Sequence, residues 1–83
     1  MIYIKVDTLE TANKLVKICE NYNNYMEVDI LHGRYILDGS NVLAVASLLG
    51  NTVEVKPITD DSLLLGYFIK DVKEIGALVE NTD

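Results

Sequence analysis

Apolar positions alternate at the start of the chain, where Ile2, Ile4 and Val6 are separated by Tyr3 and Lys5. A period of two sets one face of a strand against a core, so residues 2–6 are predicted as a half-buried strand. Asp7 and Thr8 break that pattern with side chains suited to capping a helix. From Leu9 to Tyr22 the period changes. Leu9, Ala12, Leu15, Val16, Cys19 and Tyr22 share one helical face, and Glu10, Asn13, Lys14, Lys17 and Glu20 fall mostly on the other. The run Asn21-Tyr22-Asn23-Asn24 ends the helix, because Asn competes for backbone hydrogen bonds and tolerates turn conformations.

Alternation returns from Tyr25 to Leu31, with Met26, Val28 and Ile30 set against Glu27 and Asp29. His32-Gly33 then separates this strand from a second extended run, Arg34 to Asp38, which predicts a tight hairpin with Gly33 supplying a positive φ. Asp38-Gly39-Ser40-Asn41 is the next breaker. It leads into the helical run Val42–Leu49, stopped by Gly50. Thr52 to Pro57 reads as a strand with Val53 and Val55 inward, and Pro57 suits a strand end rather than a central ladder position. Thr59-Asp60-Asp61-Ser62 is an acidic, cap-rich helix start. Leu64, Leu65, Phe68, Val72, Ile75 and Val79 carry the apolar stripe of a last helix reaching Glu80, weakened by Gly66 and Gly76 by about 1 kcal/mol each relative to Ala.

The predicted order is βαββαβα. The fold class is α/β of the α+β type: an open-faced two-layer β-sandwich, with a four-stranded antiparallel sheet and three helices on one face. All 83 residues fit one domain, residues 1–83. The net charge of −6, with the basic residues scattered, argues against nucleic acid and against anionic membrane as partners. No apolar run approaches the ~20 residues needed to span a bilayer, and the N-terminus lacks the features of a signal peptide. One cysteine allows no internal disulfide, which points to a reducing, cytoplasmic compartment.

The stretch Gly33-Arg34-Tyr35-Ile36-Leu37-Asp38-Gly39-Ser40-Asn41-Val42-Leu43-Ala44-Val45-Ala46-Ser47-Leu48 resembles the third strand, following loop and second helix of the HPr phosphocarrier family of the bacterial sugar phosphotransferase system. Element order and length are similar over nearly the whole chain. The family carries a phosphoacceptor His followed by Ala, Arg and Pro at the start of its first helix, where free N–H groups and the helix dipole stabilise a phosphoryl group. Here that region reads Leu9-Glu10-Thr11-Ala12-Asn13. The resemblance puts Glu10 at the His position, Ala12 at the Arg position and Asn13 at the Pro position. The single histidine, His32, lies in the predicted hairpin turn. The family's regulatory Ser, at the start of the second helix, corresponds to Asn41, with Ser40 one residue before it.

The resemblance also implies a docking surface on the second helix, at Val42, Leu43 and Ala46 with Ser47 beside them. The residues agree independently: an eight-residue run with seven apolar side chains cannot bury all of them against one sheet, so part faces outward. The expected function is therefore a non-enzymatic, HPr-like regulatory or adaptor module. Its expected partners are proteins, either phosphotransferase-system components or a transcriptional regulator. It would need no cofactor and no metal, and would be a monomer or weak homodimer, since Leu63, Tyr67 and Ile69 fall off the main stripe of the last helix.

Two other readings stand beside this one. An active phosphoryl carrier would need an unusual acceptor such as His32, Thr8 or Thr11, and hydroxyl esters transfer poorly. A small-anion site at the first helix start is opposed by Glu10. Cys19 sits on an apolar helical face and is expected to be an inert buried thiol. Asp60-Asp61 lacks the alternation of a calcium loop and fits helix capping.

Overall fold

The computed structural model describes residues 1–80. It is an α+β arrangement of three helices and an open antiparallel sheet. The elements are β1 (Ile2–Lys5), α1 (Leu9–Tyr22), β2 (Glu27–His32), β3 (Tyr35–Asp38), α2 (Val42–Ala46), β4 (Thr52–Ile58), α3 (Ser62–Glu74) and β5 (Leu78–Val79). The expected single domain 1–83 is described up to residue 80, and residues 81–83 lie outside the described residues.

The sheet has five strands in the order β3-β2-β4-β1-β5, not the four expected. The correction lies at Gly76. With φ at +100°, it ends α3 in a left-handed turn. The Ala77 N–H donates to the Val72 carbonyl at 3.0 Å and the Gly76 N–H to that of Lys73 at 3.1 Å, the paired bonds of a Schellman terminus. Gly76 therefore stops the helix rather than merely weakening it. The chain then turns back, buries Ala77, and lays Leu78 and Val79 antiparallel to Tyr3 and Ile2. Val79 thus belongs to a strand and not to the helical stripe.

Three smaller differences have equally local causes. The hairpin turn is Gly33-Arg34, one residue later than expected, because His32 pairs with Tyr35 as the last rung of β2–β3. Gly33 has φ +59° and no other type of residue takes a positive φ among those described, which fits glycine at the first central position of a type II′ turn. The second helix is five residues long, ending at Ala46 in a run of turns up to Gly50. Pro57 lies inside β4, opposite Val28. Val28 gives its carbonyl to the Gly39 N–H at 2.9 Å, so Val28 and Pro57 form a pair without mutual hydrogen bonds. The proline nitrogen then points to the other edge, where β1 has already ended with Ile2 opposite Val55.

One core unites these elements. Ile2, Ile4, Val28, Ile30, Val53 and Val55 from alternate strand positions are buried together with Ala12, Leu15, Val16 and Cys19 of α1, Val45 of α2, and Phe68 and Val72 of α3. Phe68 meets the Tyr22 ring edge-on, with centroids 5.3 Å apart and planes at 84°. Gly39 marks the tightest approach. A Cβ there would lie 2.8 Å from Cys19 Sγ and 3.0 Å from the Val28 carbonyl oxygen, so only glycine lets the loop after β3 pass α1 at this distance.

Candidate functional site

The start of α1 is built from Asp7, Thr8, Glu10 and Thr11. Thr8 has extended backbone and its hydroxyl accepts from the Thr11 N–H at 3.1 Å, which makes it the N-cap. The Thr11 hydroxyl donates to Asp7 Oδ1 at 2.8 Å and lies 3.2 Å from that of Thr8. The Thr11 hydroxyl is the chief reason the Asp7 carboxyl is held below the usual carboxylate range. Glu10 is on the outside of the helix, 3.1 Å from Lys14 Nζ one turn on, with both side chains largely exposed. Such a pair contributes only about 0.3–0.5 kcal/mol.

Chemically, this helix start presents two carboxylates and two engaged hydroxyls. It has no imidazole, and Lys14 is engaged by Glu10. An incoming phosphate would meet like charge from Asp7 as well as from Glu10, a contribution that sequence reasoning missed because Asp7 looked like a second cap. His32 is half-buried at the end of β2, not in the turn where it was expected.

The second helix begins at Asn41, whose side-chain oxygen accepts from the Ala44 N–H at 3.1 Å. Asn41 is thus a working cap and offers no hydroxyl. Ser40 is tied to its neighbour: Asp38 Oδ1 accepts from the Ser40 N–H at 2.9 Å and from its hydroxyl at 2.7 Å. A phosphate on Ser40 would be placed against that carboxylate.

Beyond the cap, α2 and its following turn divide their apolar side chains. Val45 and Leu48 are buried. Val42 is 44% exposed, Leu43 81% and Leu49 49%, while Ala46 is half-buried. Ser47 is exposed and donates its hydroxyl to the Ala44 carbonyl at 2.6 Å, closing the helix end. Val42, Leu43 and Ala46 therefore lie on α2 with Ser47 as its C-cap, and Leu49 is exposed in the turn that follows. The turn that follows is anchored to the end of β1 by Gly50 N–H to Val6 O at 2.6 Å and Val6 N–H to Asn51 O at 2.9 Å. That brings the turn after α2 beside the segment leading into α1, whereas Asn41 caps the opposite end of α2.

The remaining candidates are structural. Burial, reinforced by the Asp38 charge, pushes the Cys19 thiol up to about 12, so no thiolate forms at neutral pH. Asp61 caps α3, accepting from the N–H groups of Leu63 at 3.0 Å and Leu64 at 3.1 Å. Among the described residues, no three His, Cys, Asp or Glu side chains are grouped as a metal ion would require. Among the described residues, no helix is long and apolar enough to cross a membrane. A cleft of about 320 Å³ opens at the β2–β3 edge, lined by Asn23, Glu27, Asp29, Ile36 and Asp38 among others. No family model, curated protein or solved structure matches the chain.

Proposed function

We propose that the chain is an HPr-like, non-enzymatic adaptor or regulatory module that docks a protein partner through α2 and carries no phosphoryl group. The observation that carries this reading is the exposure of Leu43 and Val42 on α2, where Val45 is buried and Ala44 and Ala46 are half-buried. An outward leucine next to a second exposed apolar side chain gains by being covered. The element order from β1 to α3, with the β2–β3 hairpin, supports the family resemblance. The single core shared by the helices and one set of strand residues supports the two-layer, open-faced arrangement. The acidic start of α1 supports the loss of phosphoryl transfer. A cytoplasmic location, beside the phosphotransferase components, goes with this reading.

The test combines the full chain with phosphoenolpyruvate and the general phosphotransferase enzyme, read by intact mass at neutral pH. Amide shifts of the labelled chain are followed in the same mixture and with other phosphotransferase components. The expected result is no mass gain, with shift changes centred on residues 42–49 that vanish in Leu43→Glu. A gain of one phosphoryl group would overturn the adaptor reading. Absence of binding to every phosphotransferase component would overturn the family reading.

A further inference from the structure

Strand register aligns five side chains in one row across the sheet, on the face opposite to its buried positions. Ile36 of β3 is opposite Leu31 of β2, Leu31 is opposite Glu54 of β4, Glu54 is opposite Tyr3 of β1, and Tyr3 is opposite Leu78 of β5. Each of these alternates with a core residue of its strand or pairs with one that does. Ile36 and Leu78, at the two ends, are 66% and 69% exposed, and Leu31, Tyr3 and Glu54 are half-buried among their neighbours. The row is thus apolar at four positions and carries a single carboxylate at its centre. Among the described residues, the only ion pair is Lys14–Glu10, so Glu54 has no cationic partner.

The charges around the row are uneven. Asp29, Asp38 and Glu27 lie on the same face toward β2 and β3, against Lys56 and Lys5 toward β4 and β1. The three carboxylates also line the cleft that adjoins Ile36. An apolar row with a central unpaired carboxylate and an acidic flank calls for the complementary arrangement: apolar side chains spaced around a cation, with further cations to one side. A second copy of this chain is a poor match, because a two-fold contact about the row's centre would oppose Glu54 to Glu54. Nucleic acid and anionic membrane bring the wrong sign of charge.

We propose that this open sheet face is a second docking surface, which takes a basic amphipathic segment of a partner protein. Its apolar side chains lie along Ile36, Leu31, Tyr3 and Leu78, one Lys or Arg meets Glu54, and another enters the acidic cleft. This proposal is independent of the α2 reading.

The probe is a synthetic amphipathic helical peptide of leucine and arginine, titrated into the labelled full chain at low and at physiological salt. Shift changes are expected along the row, with affinity falling as salt rises. Glu54→Gln is expected to weaken binding about threefold and Ile36→Ser about tenfold, as for contacts near the centre and apolar end of an interface. Leu43→Glu should leave this binding intact, which separates the two surfaces. Glu20→Lys, an exposed site on α1, changes net charge more than Glu54→Gln and should have little effect. Shift changes confined to α2, equal weakening by Glu20→Lys, or no binding at millimolar peptide would each overturn the proposal. So would a concentration-dependent dimer that covers Ile36 and Leu78 in the absence of peptide.

Discussion

Tyr22 of α1 donates its hydroxyl to Asp71 Oδ2 of α3 at 2.6 Å, joining two helices through residues 49 apart in sequence. Burial, together with this bond and the Asp71 charge, pushes the Tyr22 phenol up to about 12. The folded state therefore favours the protonated phenol. Its contribution is fully present below the unfolded value of about 10 and is lost as pH rises from there through about 12. Denaturant unfolding followed against pH should show stability falling in that window for the wild type. The fall should be much smaller in Tyr22→Phe, which keeps the ring on Phe68 and loses about 1 kcal/mol at neutral pH.

Gly39→Ala is expected to destabilise by roughly 1–3 kcal/mol, because its new methyl group would overlap Cys19 Sγ and crowd the Val28 carbonyl. The sulfur's share is separable. In a Cys19→Ala background the penalty of Gly39→Ala should shrink, and the coupling can be read from a double-mutant cycle of urea unfolding. An unchanged penalty would assign the clash to Val28 alone.

At the end of α3, Gly76→Ala puts a side chain where φ is +100°, at a cost of about 1 kcal/mol or more. The damage should be local. Hydrogen exchange is expected to speed up first at Ala77, whose N–H closes the helix end, and at Glu80, whose N–H donates to the Met1 carbonyl. Amides of β4 should follow only the global change.

Asp38 should titrate below the ordinary aspartate range, chiefly because the Ser40 N–H, and then the Ser40 hydroxyl, donate to it. The sign follows from that lowered value: the stabilisation is complete above the unfolded value and is lost as pH falls below about 4. Carbon-detected titration of Ser40→Ala should move the Asp38 midpoint up only part of the way, since the backbone donor remains.

What was legible in the sequence tracks how local its cause is. The helix Leu9–Tyr22 was predicted with the bounds it has, since its apolar period, the Thr8 cap and the asparagine-rich end all lie within it. Val53 and Val55 were correctly turned inward by alternation. β5 escaped because two residues carry no period, and because Gly76 has the same letter whether it weakens a helix or terminates one. At the candidate sites, the apolar excess of Val42–Leu49 did announce outward side chains. The row from Ile36 to Leu78 did not show, because alternation gives a residue's face but not the register that sets it beside residues of other strands. Tyr22–Asp71 was hidden for the same reason.

The place of β1 between β4 and β5 sets a timetable for the growing chain. Ile2 and Ile4 are synthesised before the strand that shelters them, with Val53 and Val55, which follows only after α1, β2, β3 and α2. During most of translation β1 is an apolar strand with both edges open, which makes the nascent chain a ready substrate for chaperones and for mispairing. Apart from the β2–β3 hairpin, the strands pair only over long sequence separations, so folding should be slow for a sheet of this size and should be completed in one late, cooperative step.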